Sequence, residues 1–359
     1  MQKAGALLGQ GVAGCTFDHV PTCATGSTPK SVAGFPAVGK VALDIDEELR
    51  VGKEIMDLSG AAEYFALPST SCIPKIPIED PDAGDCDVIT ELEGEGEGEG
   101  EGETRVSEEY LKTLVMPNAG RTIDQWSQKP ERLANNFVRV WRHLLEGMVI
   151  YQKAGYIHND IHDHNVMVDD KGIARYIDFG LAYQPAKVTT MASANLGKVF
   201  KPKYTWHAPE IQAWRMILSN KRPVSVEEIV RDGVKQFEAR DYDVLERQYP
   251  GRLTAVQALT KYINATNSEL RSEDFGAIAR KYGAKFDVWR LGLLMWKLWS
   301  QLLAWKSLGG SHPIFEKSDK IKHVLGGMTD FDVTARFTPE EALQHFRSPK
   351  AEALAKAQA

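Results

Sequence analysis

Between a run of helical periodicity and a short apolar pair, the chain reads Tyr156-Ile157-His158-Asn159-Asp160-Ile161-His162-Asp163-His164-Asn165, and thirteen residues past Asn165 comes Asp178-Phe179-Gly180. Upstream, Phe137, Val140, Trp141, Leu144, Leu145, Met148 and Tyr151 recur at three- and four-residue steps, which predicts a helix with one apolar face ending at Gly155. Downstream, Tyr176-Ile177 reads as a buried strand. A helix, a polar loop and a strand in this order can bring Asp160, Asn165 and Asp178 together. Asp160 can accept a proton, and Asn165 and Asp178 supply the hard oxygen ligands that magnesium requires. Transfer of a phosphoryl group from a magnesium nucleotide needs such a set.

The 359 residues suit one large domain or two lobes around a cleft. Hydrophobic residues at 43% and charged residues at 26% are ordinary for a soluble globular protein. The net charge of −6 argues against a nucleic-acid platform, and it is concentrated: Glu91 to Glu103 carries seven Glu and no base, so the remainder is nearly neutral. The Glu-Gly alternation over 93–103 cannot bury apolar surface and predicts a disordered loop between two strand-like runs, Asp87-Val88-Ile89-Thr90 and Leu111 to Met116. The four cysteines (Cys15, Cys23, Cys72, Cys86) are scattered without a CxxC pair, so neither a disulfide framework nor a zinc site is expected. A reduced, intracellular setting follows as the expectation. The apolar run at the N-terminus is too short for a signal peptide, and no stretch approaches a membrane span. Leu291 to Leu303 is strongly apolar, but Arg290 and Lys297 interrupt the pattern, and it reads as a buried helix.

The chain is expected to be α+β. Residues 1–118 read as a small, mostly β lobe with one helix near 44–58, and 119–346 as a larger helical lobe, with a charged helical insertion at about 211–285 and a fraying tail at 347–359. Phe286 is expected to open the apolar helix.

Gly9-Gln10-Gly11-Val12-Ala13-Gly14 has a G-x-G-x-x-G order that lets backbone approach phosphates. Because Cys15-Thr16-Phe17 reads as a second strand rather than a helix, a glycine-rich hairpin is favoured over a dinucleotide-binding unit. Two lysines compete for the next strand. Lys40 lies in the better β run, Ala37 to Leu43, and Lys30 lies nearer the glycines. A lysine there would bind the α- and β-phosphates of ATP and pair with a helix glutamate. Glu48 is the preferred partner, with Glu47 and Glu54 as alternatives.

Farther on come Ala208-Pro209-Glu210, then Asp287-Val288-Trp289 with Gly292, then Arg336. With the loop motifs they give the chain a resemblance to the eukaryotic-type protein kinase superfamily, over roughly 1–210 and 286–346. The compact step from Lys40 to the run Glu48 to Ile55, with Tyr64-Phe65 ahead of Ser71-Cys72, also resembles the serine/threonine kinases of large DNA viruses. The resemblance implies a two-lobed fold with a small β-rich N-lobe and a larger helical C-lobe, and ATP and Mg2+ as cofactors. It further implies Asp160 as catalytic base with Lys40 and His162, Gly9, Gly11 and Gly14 over the phosphates, and Asn165 and Asp178 as metal ligands. Met116-Pro117-Asn118-Ala119-Gly120 would be the hinge, with Met116 behind the adenine, Asn118 and Ala119 contacting it, and Thr16 beneath it. Glu210 would pair with Arg336. The implied partner is a protein substrate modified on serine or threonine, with a possible partner surface on 211–285 and a location in host cytoplasm or virion if viral.

Two positions depart from the superfamily pattern. Asn159 stands where an arginine that pairs with an activation-loop phosphate is usual, and a neutral amide cannot neutralise a dianion, which makes Thr189, Thr190 and Ser193 weak candidates for a phosphate switch. His162 replaces a lysine that steadies the γ-phosphate. The Asp-x-His-x-x-Asn order also resembles aminoglycoside and fructosamine phosphotransferases, so a small-molecule kinase stands as an alternative, as does a pseudokinase scaffold.

Overall fold

The computed structural model describes residues 6–11, 14–43, 45–75, 78, 85–89, 111–189, 206–211, 253–266, 268 and 274–346. The Glu-Gly run at 93–103, Thr190, Ser193, residues 212–252 of the insertion and the tail from 347 lie outside them. The chain divides into two compact units, Met1–Gly120 with Arg175–Gly180, and Arg121–Ala174 with Leu181–Ala359.

The first unit is built on antiparallel strands. β1 (Leu7–Gly11) pairs with β2 (Gly14–Phe17), so the glycine-rich segment is a hairpin. β2 pairs with β4 (Phe35–Leu43), and β4 pairs along its length with β6 (Leu111–Pro117), which also takes β5 (Thr70–Cys72). A short β3 (Ser31–Val32) folds back on β4. The period of two along β4 sends Val41 into a cluster with Cys15, Phe17 and Leu111, and Val38 and Ala42 into another with Leu114 and Met116. Lys40, between Val38 and Ala42 in that period, lies on the second face. Helix α1 (Asp46–Met56) buries Glu48, Val51, Gly52 and Ile55, a three- and four-residue spacing, and its first turn carries Asp46, Glu47 and Glu48 where the positive end of the helix dipole favours acids. Gly52 is required by packing, because a Cβ there would meet the Pro68 carbonyl at 2.7 Å. A single turn, α2 (Ala61–Tyr64), follows.

Two sequence expectations change in this unit. Cys15–Cys86 and Cys23–Cys72 are disulfides, so the scattered cysteines are paired after all. Their separations of 71 and 49 residues hide the pairing from any local motif, and β-sheet register brings them together. Asp87–Ile89 is a helical turn closed by Ile89 N–H to the Cys86 carbonyl (2.9 Å), not a strand, and β6 pairs instead with β4 and β5. Arg175–Gly180 also packs with the first unit. Ala66 N–H donates to the Tyr176 carbonyl at 3.0 Å, Arg175 reaches the Ala62 carbonyl at 3.3 Å, and Phe65 meets Phe179 edge to face at 5.9 Å.

The second unit is helical. β7 (Arg121–Thr122) pairs with β8 (Val166–Val168), and Thr122 caps α3 (Ile123–Ser127) by accepting the Gln125 N–H. Helix α4 (Pro130–Lys153) buries every residue of the predicted apolar face, and Gly155, at φ 83°, turns the chain out of it. β9 (Ala174–Tyr176) leads into Asp178. Of the insertion, α5 (Ala255–Ala265) is described, opened by a Thr254–Gln257 capping box. The apolar helix, α6 (Phe275–Ser307), begins eleven residues before Phe286. Asp274 caps it, and Phe275, Ile278, Ala279, Tyr282, Gly283 and Phe286 continue the buried spacing through a stretch whose lysines and arginine mask it in sequence. Helices α7 (Ser318–Met328) and α8 (Pro339–Gln344) complete the unit. Among the described residues, no helix is long and apolar enough to cross a membrane.

Candidate active site

In the first unit the structure brings Lys40, Glu48 and Asp178 together. Lys40 Nζ donates to both Glu48 oxygens, at 2.9 and 3.1 Å, and to Asp178 Oδ2 at 3.1 Å. Lys40 and Glu48 are each 8% exposed. Burial alone would push the Lys40 ammonium down, but the Asp178 and Glu48 carboxylates outweigh it and hold the group above its ordinary range. Burial and the Asp178 charge push Glu48 up to about 7, against the opposing pull of Lys40. The Lys40 cation is thus held in its charged form. Asp178 sits at φ 57°, and its Oδ1 accepts the Gly180 N–H at 3.1 Å. Lys30 is exposed on the surface, while Glu47 and Glu54 are bonded to Arg50.

The three motif glycines differ in what demands them. Gly9 has open space where a Cβ would stand. Gly14 has none, because a Cβ there would lie 2.2 Å from the Val41 carbonyl oxygen, so close contact of β2 with β4 explains it without a ligand. Gly11 pairs with Gly14 at the hairpin end. Thr16 lies opposite Lys40, Lys40 opposite Leu114, and Val38 opposite Met116, so Thr16, Lys40 and Met116 share one face of the sheet. Asn118 N–H donates to the Pro36 carbonyl at 2.8 Å, so that donor is spent inside the fold, and the Asn118 side chain accepts the Gly120 N–H. A small open pocket lined by residues including Phe35, Met56, Phe65, Pro117, Ala119 and Arg175 contains none of the glycines, Lys40 or Glu48.

In the second unit Asn165 donates through Nδ2 to Asp160 Oδ2 and to the Asp160 carbonyl, both at 2.9 Å. With its amide nitrogen so engaged, its Oδ1 is the oxygen that remains, and it is of the hard donor type that magnesium takes, as is, in the first unit, the Asp178 carboxylate. Among the described residues, no group of three or more His, Cys, Asp or Glu is placed to hold a metal ion.

His162 Nε2 lies 3.7 Å from Asp160 Oδ2, and its Nδ1 lies 3.6 Å from Asp163 Oδ1 and 3.2 Å from the His164 N–H. A neutral ring would accept that N–H, and a protonated ring would face two carboxylates. Burial pulls His162 down, but Asp160 and Asp163 prevail and raise it to about 9. Asp163 is in turn bonded to Lys297, which also holds Asp124 at 3.0 Å. Burial opposes the Asp163 charge, yet His162 and Lys297 hold it well below the carboxylate range.

The loop hangs from helix α6. Asp287, fully buried, accepts from Tyr151 Oη (2.9 Å), His158 N–H (2.7 Å), Asn159 N–H (3.0 Å) and Arg290 (3.3 Å). Arg290 also donates to Asn159 Oδ1 at 2.8 Å and bonds His207 Nδ1. Glu210 is paired with Arg336 at 2.8 and 3.3 Å. Burial pushes Glu210 up, and Arg336 opposes that. Asp163, Lys297, Arg290 and His207 have no place in the motif reading. Their signal was nevertheless present, since Arg290 and Lys297 are the two charges that interrupt the apolar helix.

The β-rich and helical units, with these residues at their motif positions, define a protein-kinase-like α+β fold. Residues 102–184 match a family model described as the phosphotransferase enzyme family. The chain is 32% identical over 89 residues to mitogen-activated protein kinase kinase kinase ANP1 of Arabidopsis thaliana, covering 25% of this chain and 12% of that protein. It is 37% identical over 70 residues to mitogen-activated protein kinase kinase kinase 3 of the same plant, covering 20% and 10%. A third similarity, to mitogen-activated protein kinase kinase kinase MST11 of Pyricularia oryzae, is 29% over 112 residues, covering 29% and 12%. The chain thus spans about a tenth of the length of these curated relatives.

Proposed function

We propose that the chain is an ATP- and magnesium-dependent kinase that phosphorylates serine or threonine in a protein substrate. The observation that carries the reading is the buried Lys40–Glu48–Asp178 set, since a lysine kept charged between two carboxylates suits the α- and β-phosphates. Asp160, steadied by Asn165, is the group to orient and accept the hydroxyl proton. His162, as imidazolium beside Asp160, would oppose negative charge gathering on the transferred phosphoryl group. Bound magnesium would neutralise the nucleotide phosphates, with Asn165 and Asp178 as its protein ligands. The curated similarities are to protein kinases, and the buried Glu210–Arg336 pair belongs to the motif set that suggested a protein substrate.

One finding favours a second reading. The phosphotransferase family match, with His162 two residues after Asp160, supports a small-molecule hydroxyl as acceptor. Radiolabelled γ-phosphate transfer with purified protein, generic protein substrates and a panel of aminoglycosides and sugar amines separates the two, with Asp160→Ala as control. Label in protein, lost in the control, supports the first reading. Label only in small molecules supports the second. No transfer above the control to either acceptor refutes both.

A further inference from the structure

Arg290 is charged, fully buried and surrounded by groups from three parts of the second unit. Its guanidinium meets Asp287 on its own helix, the Asn159 side chain in the loop that carries Asp160, and His207 beside Pro209 and Glu210. Arginine only donates, so His207 accepts through Nδ1 and carries its proton on Nε2. Three residues beyond His207, the same short segment is held again by Arg336, itself 1% exposed. Two buried arginines therefore fasten residues 207–210, and one of them also fastens the residue before Asp160.

Asn159 is built for this contact. It sits at φ 66°, a left-handed conformation that asparagine tolerates better than most side chains. Its N–H donates to Asp287, its Nδ2 donates to the Leu181 carbonyl at 3.3 Å, and its Oδ1 accepts from Arg290. An added phosphate needs a cation that water and the phosphate can both reach. Asn159 is neutral and 2% exposed, and Arg290 is sealed from solvent with three acceptors already bound. Neither can serve as a phosphate receptor without dismantling the network.

We propose that Arg290 is a positioning residue that locks the Asp160 loop and segment 207–210 together and thereby sustains the transfer rate. The inference rests on the kinase reading for its catalytic consequence, but the lock itself has an independent readout. Transfer rate and backbone hydrogen exchange are measured on the full-length protein, in which the amides of His158, Asn159 and Ile211 should be protected. Asn159→Gly keeps the left-handed backbone and removes the acceptor, so it should lower kcat at least tenfold, leave the nucleotide KM within twofold, and speed exchange at both loops. Asn159→Asp restores an acceptor for Arg290 and should recover most of both losses. An Asn159→Gly variant with unchanged kcat would overturn the proposal. So would exchange at Ile211 that ignores Asn159→Gly. If the wild type transfers no phosphate to any acceptor yet Asn159→Gly loosens both loops, the lock stands and the kinase reading falls.

Discussion

Replacing Arg336 with methionine should cost the folded protein about 3–5 kcal/mol, the range for removing one partner of a buried ion pair. The apolar stem of methionine can still cover Trp289, over whose ring the Arg336 guanidinium lies at 4.8 Å. What disappears is the pair of bonds to Glu210 and the donors to the Asp330 and Lys285 carbonyls, at 2.9 and 3.2 Å. Glu210, 1% exposed, is left as a buried carboxylate without its cation. Glu210→Leu combined with Arg336→Met removes both charges, and such replacements range from neutral to stabilising, so the double variant should be far less damaged than Arg336→Met alone. Denaturant unfolding of the four proteins gives the coupling energy directly. The pH dependence has a definite sign. Burial already raises Glu210 above its ordinary value of 4.5, and losing Arg336 raises it further. A raised carboxyl leaves stability intact below the unfolded pKa and removes it as pH climbs through the folded one. The Arg336→Met penalty should therefore be smaller at pH 5 than at pH 8. A penalty below about 1 kcal/mol at pH 8, or single-variant costs that simply add in the double, would refute the argument.

Asp178→Asn should remove magnesium-dependent turnover while leaving the melting temperature close to wild type; near-normal turnover would show that Asp178 is not a metal ligand. Because the folded state holds His162 at about 9 against an ordinary 6.5, its contribution is complete below pH 6.5 and vanishes as pH rises through 9. Wild-type unfolding free energy should fall by at most about 3 kcal/mol across that window, and His162→Gln should flatten the fall; parallel curves would exclude a charged His162. Reducing the two disulfides should destabilise the first unit, by up to about 4 kcal/mol for a loop the length of Cys15–Cys86, and unchanged melting in reductant would show that the bridges do not form or do not matter.

Where sequence spacing encoded local geometry, it was enough. The apolar steps of 137–151 give α4, the alternation around Lys40 gives β4, and Glu48 follows on the buried face of the next helix. Distant pairings had no such code. The disulfides join residues separated by 71 and 49 positions, and only strand register makes them neighbours. Asn118 looked available to a ligand because its sequence cannot show that Pro36 takes its N–H. Arg290 and Lys297 were visible as breaks in an apolar pattern, but a charge on a buried helix does not announce its partner. The α6 start was hidden because the exposed Arg280 and Lys281 dilute the apolar average around the buried Ile278 and Tyr282.

The two disulfides also bear on the order in which the molecule is made. They are nested, Cys23–Cys72 inside Cys15–Cys86, and the inner ring encloses both β4 and α1, hence both Lys40 and Glu48. A growing chain possesses all four cysteines by residue 86, before β6 at 111–117 exists to pair with β4. The covalent ring around the lysine and its glutamate can therefore close while the strand that completes their sheet is still unsynthesised. A ring closed at that stage would keep β4 and β5 within reach until β6 arrives to fill the place between them.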